Sequence, residues 1–448
     1  MRLLILTPEY DAGGGIGTFY RNLAAPLCEL GLVVRVIEGS AAHAGERSPR
    51  DRGGVAVETL ERERFDRWWG QFPAFAMTPG LRRHLAAAWA MWEQADFGAE
   101  ADIIEAADWG FSFVPPAIEA KTPLIIQAHG SAGQIADHDP LEGEEVQGAL
   151  ERLTERSTLS LATSLQTYSI ANAEFWRAET GRDVEMIRAA VPLTKGAATG
   201  AVSDRGLVIG RIQRWKGPHV LCQALDRLGE YAPGVDWFGR DTAFGRQGRL
   251  TGADLAERYP RVWNRRIEPR APIPTVEVAR RQAGALFNLV PSSWDVFNFT
   301  AAEAMASGRP TIVSTGAGAS ELVVDGENGF LFASEDAASL VGAIESVLTM
   351  SPLRLAEIGA AGRETVRREL DPMTIAAARI AAYRSAIATF AARAPAPIGG
   401  WLGEICRPSA VGPVGNAFLG QHPMRTLASH LVQRAWGKVG PAIGRKRS

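Results

Sequence analysis

The sequence contains few cysteines, and their positions argue against both a disulfide framework and a metal site. Its three cysteines, Cys28, Cys222 and Cys406, lie far apart among 448 residues. Disulfide scaffolds and zinc sites both need cysteines at short, regular spacings. The cysteine content therefore favours a protein of the reducing cytosol.

Long apolar stretches and a strong net charge are lacking too. No run of about eighteen apolar residues occurs, so no segment is expected to cross a bilayer as a helix. The opening MRLLILTPEY has too short an apolar run for a signal peptide, and it predicts a buried strand at 3–7. A formal net charge of −2 gives no general attraction to nucleic acid. We expect a cytoplasmic globular protein without a nucleic-acid partner.

Two common cofactor signatures are absent as well. The cluster Gly13-Gly14-Gly15-Ile16-Gly17 does not satisfy G-x-G-x-x-G, which makes a nicotinamide site a weak interpretation. No convincing Asp-x-Asp metal motif occurs, so neither a cofactor nor a metal is expected. Adjacent glycines still let a ligand approach the backbone closely, and we favour this over a glycine-rich turn with no ligand.

The chain is long enough for two domains, and its pattern is that of an α/β protein. Apolar strands alternate with amphipathic helices twice, which predicts two Rossmann-like domains with parallel sheets. The predicted domains are 1–195 and 203–370, followed by a helix at 371–394 and a tail at 395–448. The strands predicted in the first domain are 3–7, 33–37, 55–60, 103–105, 124–128, 160–163 and 185–187.

Basic residues follow the first strand of the predicted second domain. Arg211 comes directly after the strand, and Lys216-Gly217 follows after a short spacer. A diphosphate leaving group accumulates negative charge as its bond to a sugar breaks, and cations delivered from one strand end can neutralise that charge. A strand-end Arg and Lys that are merely solvated are the alternative.

Two carboxylates mark the segment 291–332. Asp295 and Glu303 lie eight positions apart, in a loop that runs into a predicted helix at 301–306. A helix N-terminus can hold phosphate on its backbone N–H groups, and carboxylates accept hydrogen bonds from hydroxyls. Phosphate together with hydroxyls describes a nucleotide sugar.

These two segments resemble those of glycosyltransferase family 4, whose members are retaining enzymes with the GT-B fold. The family has Glu, seven residues and a second Glu, then Ala-Met-Ala and a Gly-Pro step. This chain has Asp295, VFNFTAA and Glu303, followed by AMA and Gly308-Arg309-Pro310. It departs from the family at Asp295, where Glu is usual, and at Asn298, where Gly is common. The resemblance implies two domains that face each other across a cleft.

The resemblance also implies roles for residues near the donor. Arg211 and Lys216 correspond to the residues that bind the diphosphate, and Glu303 to the residue that holds the ribose hydroxyls. The backbone after Asp295 falls where the family contacts the sugar. The remaining residues implied at the donor site are Phe297, Asn298, Phe299, Gly14, Gly15, His129 and Glu321.

His129 follows a predicted strand and is implied beside the donor sugar as a catalytic residue, with Asp295 as the second. Gly14 and Gly15 are implied to offer N–H groups to the phosphate, and Glu321 to border the donor pocket. A packed structural histidine is the alternative for His129, and a first-turn Glu that complements the helix dipole is the alternative for Glu303.

The predicted function is that of a metal-independent, retaining glycosyltransferase that moves a sugar from a nucleoside diphosphate to a hydroxyl acceptor. Glycan and polysaccharide synthesis are the favoured settings. A sugar-nucleotide epimerase of the same fold and a non-catalytic nucleotide-sugar binder are the alternatives, the latter because of Asp295 and Asn298.

Two further segments allow different interpretations. The aromatic-rich stretch from Trp68 to Trp92 suits core or lid packing better than an acceptor platform. The tail at 395–448 carries seven basic residues and one acid, a formal +6, and predicts a poorly ordered extension. In the second interpretation, an amphipathic basic helix at 424–438 contacts an anionic membrane or a partner.

Overall fold

The structure is a computed structural model that describes residues 1–11, 14–40, 44–45, 49–72, 75, 78–138, 145–193, 202–244 and 248–390, with a few positions between 407 and 435. Gly13, most of the linker predicted between the domains and most of the tail lie outside the described residues. The basic helix predicted at 424–438 is among the segments that are not described as a whole.

The chain divides into two compact units. The first comprises Met1–Thr167, Asn172–Ile187 and Met373–Ser448, and the second comprises Tyr168–Ala171 and Arg188–Pro372. The first unit thus ends its main run at Ile187, before the predicted boundary at 195, and regains the chain at Met373.

An eight-stranded sheet forms the centre of the first unit, in the order β3-β4-β2-β1-β5-β6-β7-β8. Its neighbouring strands are parallel except for the pair β3 and β4. The strands are β1 (Arg2–Thr7), β2 (Val33–Glu38), β3 (Arg50–Asp51), β4 (Val55–Thr59), β5 (Ile103–Ala107), β6 (Leu124–Gln127), β7 (Ser164–Thr167) and β8 (Val184–Met186).

Helices connect these strands, as parallel neighbours require. They are α1 (Gly15–Glu29), α2 (Arg62–Gly70), α3 (Pro79–Gln94), α4 (Val114–Glu119), α5 (Ala132–His138), α6 (Glu145–Leu159) and α7 (Ile170–Thr180). The last helix of the chain, α14 (Pro372–Thr389), also packs in this unit from Met373 onward.

The second unit contains a six-stranded, fully parallel sheet in the order β13-β10-β9-β14-β15-β16. The strands are β9 (Gly206–Ile209), β10 (Val235–Phe238), β13 (Ile267–Arg270), β14 (Asn288–Val290), β15 (Thr311–Ser314) and β16 (Phe330–Phe332), with a small hairpin of β11 (Ala243–Phe244) and β12 (Arg249–Leu250). The helices are α8 (Pro218–Leu228), α9 (Thr251–Arg258), α10 (Thr275–Gly284), α11 (Phe299–Ala306), α12 (Ala337–Thr349) and α13 (Pro352–Glu369).

Burial explains why the central strands are continuous apolar runs. Every residue of β5 is buried, as are Leu3 to Thr7 in β1, because helices cover both faces of a parallel sheet. The aromatic-rich stretch contributes Phe72, Trp89 and Trp92 to this core, while Trp68 packs against it. These side chains therefore pack in the core, as the favoured interpretation holds.

The predicted α/β class with two parallel-sheet domains is confirmed, and one predicted strand is misplaced. The chain at 160–163 forms a turn after α6, in which Leu161 N donates to Thr158 O at 3.0 Å. The strand begins one residue later as β7, which pairs with β6 on one side and with β8 on the other. Among the residues described, no helix combines the length and the apolar character that a membrane span needs.

Candidate functional site

The principal site in the second unit lies where β9 and β14 end. These strands are neighbours in the sheet, so the loops that follow them meet at its carboxyl edge. Lys216 lies in the first loop and Asp295 in the second. Lys216 Nζ forms an ion pair with Asp295 Oδ2, although 79 residues separate the two. The side chains are only 17% and 15% exposed, which makes this a partly desolvated pair.

Both predicted phosphate ligands flank one indole ring. Lys216 Nζ lies 4.0 Å from the ring centroid of Trp215, and Arg211 Cζ lies 6.0 Å from it. Trp215 is buried and packs against Trp294 at 5.4 Å between ring centroids. The structure thus groups Arg211 with Lys216, as the sequence predicts, and Trp215 is an organising residue that sequence reasoning missed.

Asn298 connects this ion pair to helix α11. Its backbone is left-handed, with φ of 76°, and its side chain caps the helix by accepting from Ala301 N at 3.2 Å. Asn298 Nδ2 donates to Asp295 Oδ2 at 2.9 Å and to Ser292 Oγ at 3.2 Å. The two departures from the family pattern, at 295 and 298, are therefore in direct contact.

The other predicted residues of this segment lie on or beside α11. Phe297 is buried, and its ring packs against Phe299 at 5.4 Å and Tyr168 at 5.6 Å. The ring of Phe297 is thus part of the core, and its backbone O accepts from Ala319 N at 2.7 Å. Glu303 is partly buried on α11, five residues beyond the Asn298 cap.

A small-residue loop fixes the backbone around Asp295. Asp295 N donates to Gly316 O at 3.0 Å, and Gly318 N donates to Asp295 O at 2.9 Å. A Cβ on Gly318 would lie 2.1 Å from Val296 O, so this close approach requires glycine. The loop that contains Gly316 and Gly318, which is predicted to border the donor pocket, therefore fixes the backbone of Asp295 through two hydrogen bonds.

Glu321 makes several contacts within the second unit. Its Oε1 accepts from Ile170 N at 2.7 Å and from Ala171 N at 3.1 Å, and its Oε2 pairs with Arg188 Nη1 at 2.5 Å. Both oxygens are occupied by these contacts, and the side chain is 17% exposed. Glu321 therefore contributes to the fold through both oxygens, and its predicted place at the border of the donor pocket stays a prediction.

His129 lies in the first unit, directly beyond β6 at the carboxyl edge of the sheet. Its ring packs edge-on against Phe19 at 4.8 Å and Tyr20 at 5.4 Å. Burial lowers the pKa of His129 well below its usual value, and the positive charge of Arg379 acts in the same direction. The imidazole is therefore neutral near pH 7.

Asp108 holds the loop that carries His129, and sequence reasoning missed it. Asp108 Oδ1 accepts from His129 N at 2.9 Å and from Trp109 N at 2.8 Å, while Oδ2 accepts from Gly130 N at 3.2 Å. Burial raises the pKa of Asp108 to about 7, against the opposing effect of these N–H groups. An acid immediately after a buried strand, β5, was the signal available in the sequence.

The predicted glycine contacts lie at the start of α1. Gly14 and Gly15 are exposed there. A Cβ on Gly14 would lie 2.0 Å from Glu9 Oε2, so a carboxylate already occupies the space beside Gly14. A phosphate at this helix N-terminus would require the Glu9 side chain to move, because the two groups carry the same charge.

The second unit also carries a cavity of about 530 Å³ at the carboxyl ends of β10 and β13. Ile212, directly after Arg211, lines it together with Asp241 and Trp263. Gly239 forms part of its wall, and the adjacent backbone passes so close that a Cβ there would lie 1.8 Å from Gly210 O. The cavity is within the size range of small-molecule sites.

Comparison with known proteins gives matches in sequence and in structure. Residues 204–350 match the family described as glycosyl transferases group 1. The chain is 26% identical over 381 residues to a D-inositol 3-phosphate glycosyltransferase from Thermobifida fusca, covering 79% of this chain and 85% of the relative.

Two solved structures share the fold at low sequence identity. Sucrose-phosphate synthase from Thermosynechococcus elongatus superposes with a TM-score of 0.69 at 20% identity, covering 87% of this chain and all of that one. The catalytic domain of starch synthase IV from Arabidopsis thaliana, bound to ADP and acarbose, has a TM-score of 0.64 at 13% identity, with 86% and 99% coverage. The matched part of this chain includes residues of both units in each comparison.

Proposed function

The chain is a glycosyltransferase with the GT-B fold, and we propose that it transfers a sugar from a nucleoside diphosphate to a hydroxyl acceptor with retention, in the manner of glycosyltransferase family 4. One observation carries the proposal. Arg211 and Lys216 flank Trp215, and Lys216 is paired with Asp295 at the ends of adjacent strands. Cations and a carboxylate at one sheet edge suit a ligand that combines phosphate with hydroxyls.

The two cations are proposed to stabilise the leaving diphosphate. Negative charge grows on the diphosphate as the glycosidic bond breaks, and positioned cations lower the energy of that state more than that of the bound donor. Lys216 is held in place by its contacts with Asp295 and Trp215, so little reorganisation is needed. We propose that this pair of cations makes a metal ion unnecessary.

The carboxylates are proposed to bind the hydroxyls of the donor. Glu303 would hold the ribose, because one carboxylate can accept from two adjacent hydroxyl groups. Asp295 would accept from the transferred sugar. Among the residues described, Asp295 Oδ1 has no protein hydrogen-bond donor, whereas Oδ2 has two.

The nucleoside is proposed to enter the cavity beside Ile212 and Trp263. Its volume of about 530 Å³ is sufficient for a nucleoside. Arg211, one of the two proposed diphosphate ligands, directly precedes Ile212 in the lining of this cavity. Starch synthase IV, which has the same fold, is described with ADP bound, and this supports a nucleotide ligand.

The proton of the acceptor hydroxyl is proposed to pass to the departing phosphate. This step forms the new C–O bond on the face from which the old C–O bond breaks, and the diphosphate leaves carrying the proton. No side-chain base is then needed. His129, held neutral by burial, is in the state in which imidazole can hydrogen-bond a sugar hydroxyl, and its catalytic role is part of the proposal.

A panel of UDP-, GDP- and ADP-sugars tests the proposal by thermal shift, followed by transfer assays with and without EDTA. The acceptor panel includes inositol phosphates, because one relative is named for D-inositol 3-phosphate. We expect one donor class to raise Tm and to give an acceptor-dependent product with retained anomeric configuration. Conversion of the donor without an acceptor would favour an epimerase, and binding without any conversion would favour a non-catalytic binder.

A further inference from the structure

Asn298 is the polar side chain that contacts Asp295 from the start of α11. Each of its hydrogen-bonding groups is used within the protein. Its carbonyl Oδ1 accepts from Ala301 N, and the two N–H groups of Nδ2 donate to Asp295 Oδ2 and Ser292 Oγ. The side-chain amide of Asn298 is thus engaged within the protein, and its predicted substrate contact stays a prediction.

The contacts of Asp295 are divided unequally between its two oxygens. Oδ2 accepts from both Lys216 Nζ and Asn298 Nδ2. Across the described part of the chain, no protein donor contacts Oδ1. The side chain is 15% exposed, which leaves room for contact from outside the protein. With one oxygen held on two sides, the direction of the other oxygen is fixed.

The backbone of Asn298 shows why the side chain at this position matters. Its φ of 76° lies in the left-handed region, which glycine adopts most easily and which asparagine tolerates better than most residues. Glycine would relieve the backbone here but would leave Asp295 Oδ2 without one of its two donors. Asparagine thus supplies a hydrogen bond at a position where only a few residue types fit.

We propose that Asn298 is a positioning residue that fixes Asp295 Oδ2 and thereby aims Oδ1 at one hydroxyl of the transferred sugar. The inference rests on the proposed function, because it assumes a nucleoside diphosphate sugar as the ligand. Aspartate reaches about one methylene less far than glutamate, so its direction matters more. The ligand class is a donor whose sugar carries a free hydroxyl opposite Asp295.

The matched variants are Asn298→Asp and Asn298→Gly. Aspartate keeps the size, the left-handed tolerance and the helix cap of asparagine, but it replaces the donor N–H₂ with an oxygen that faces Asp295. If Asn298 served only as a helix cap, Asn298→Asp would leave the preference for the sugar-bearing ligand unchanged. If it positions Asp295, Asn298→Asp is the more damaging change, because like charges then meet.

The experiment compares the affinity for the nucleoside diphosphate sugar with that for the nucleoside diphosphate alone, by titration calorimetry on the full chain. The wild type should prefer the sugar-bearing ligand. Asn298→Asp should reduce this preference at least tenfold, and Asn298→Gly by a smaller factor. The affinity for the diphosphate alone should change less than threefold. Melting temperatures verify that both variants fold.

A deoxy donor provides a second readout that a structural role would not alter. A donor that lacks the hydroxyl facing Asp295 should bind the wild type and Asn298→Asp with affinities within threefold of each other. An affinity ratio in Asn298→Asp within twofold of the wild type would overturn the inference alone. If the wild type bound no nucleotide and no nucleotide sugar, the proposed function itself would fail, and this inference with it.

Discussion

Arg211 and Lys216 share a proposed ligand but differ in their surroundings. Lys216 is partly buried, paired with Asp295 and stacked on Trp215, whereas Arg211 is exposed. A partly buried charge that loses its partner costs more than a solvated one. We therefore expect substitutions of either residue to weaken ligand binding, but only substitution of Lys216 to lower the stability of the protein.

We predict that Arg211→Gln and Lys216→Gln each weaken nucleoside diphosphate binding by about 1.5–3 kcal/mol, the range for hydrogen bonds to charged groups. Only Lys216→Gln should also lower Tm, because it removes the cationic partner of Asp295. Calorimetry gives the affinities and differential scanning fluorimetry gives Tm. An equal loss of Tm in both variants would contradict this difference.

At the scale of elements, helix α14 is attached to the first sheet through a buried polar network. Arg379 Nη2 lies 2.5 Å from Glu105 Oε1 on β5, and Nη1 donates to Gln127 Oε1 on β6 at 2.7 Å. Tyr383 donates to the second oxygen of Glu105 at 2.5 Å. Arg379 and Glu105 are 1% and 0% exposed, so neither charge can be solvated if its partner is lost.

Breaking this pair should destabilise the first unit strongly. Arg379→Met or Glu105→Leu alone leaves an uncompensated buried charge, which costs about 3–5 kcal/mol. The double variant should recover most of that loss, because apolar residues often replace a buried ion pair at little cost. Hydrogen exchange of β5 and β6 reports the stability of this unit. Single variants that lose less than about 1 kcal/mol would show that the network does not anchor α14.

At the scale of the whole molecule, buried acids make stability depend on pH. Glu155 accepts from Ser131 Oγ at 2.8 Å and from Gly133 N at 3.1 Å, and burial raises its pKa to about 8. Burial raises that of Asp108 to about 7. Both carboxyls hold a proton in the folded state at pH values where the unfolded chain has released it. The stability that these two groups contribute is therefore fully present below their ordinary pKa and is lost as the pH rises toward 7–8.

We predict that Glu155→Gln removes part of this pH dependence. Each such group contributes a slope of about 1.4 kcal/mol per pH unit between its unfolded and folded pKa values. Tm of the variant relative to the wild type should therefore rise between pH 5 and pH 8. Glutamine keeps an acceptor for Gly133 N, so folding is retained. A Tm difference that is constant over this range would contradict the assignment to Glu155.

The sequence predicts the fold well where the signal is local. Strands β1 and β2 are predicted to within one residue of their observed bounds, because each is a short, mainly apolar run that ends beside proline or glycine. The strand predicted at 160–163 is wrong because helix α6 extends to Leu159 and a turn follows it. Where a helix ends is decided partly by the elements packed against it.

For the site too, the sequence predicts the features that depend on local signals and misses those that depend on tertiary packing. That Arg211, Lys216 and Asp295 follow strand ends was readable in the sequence, because parallel strands place their following loops at one edge. Trp215 and Asp108 were missed, since an aromatic residue and an acid near a strand end have many structural roles.

The sequence by itself determined two parallel α/β units and the strand ends that carry charged side chains, since periodicity and loop position are local properties. Tertiary structure alone decided which polar groups are already occupied. Glu321 meets Arg188 across 133 residues, and Arg379 meets Glu105 across 274. Such pairs depend on how distant segments pack, and this packing gives Asp295 Oδ2 its two donors, Lys216 and Asn298.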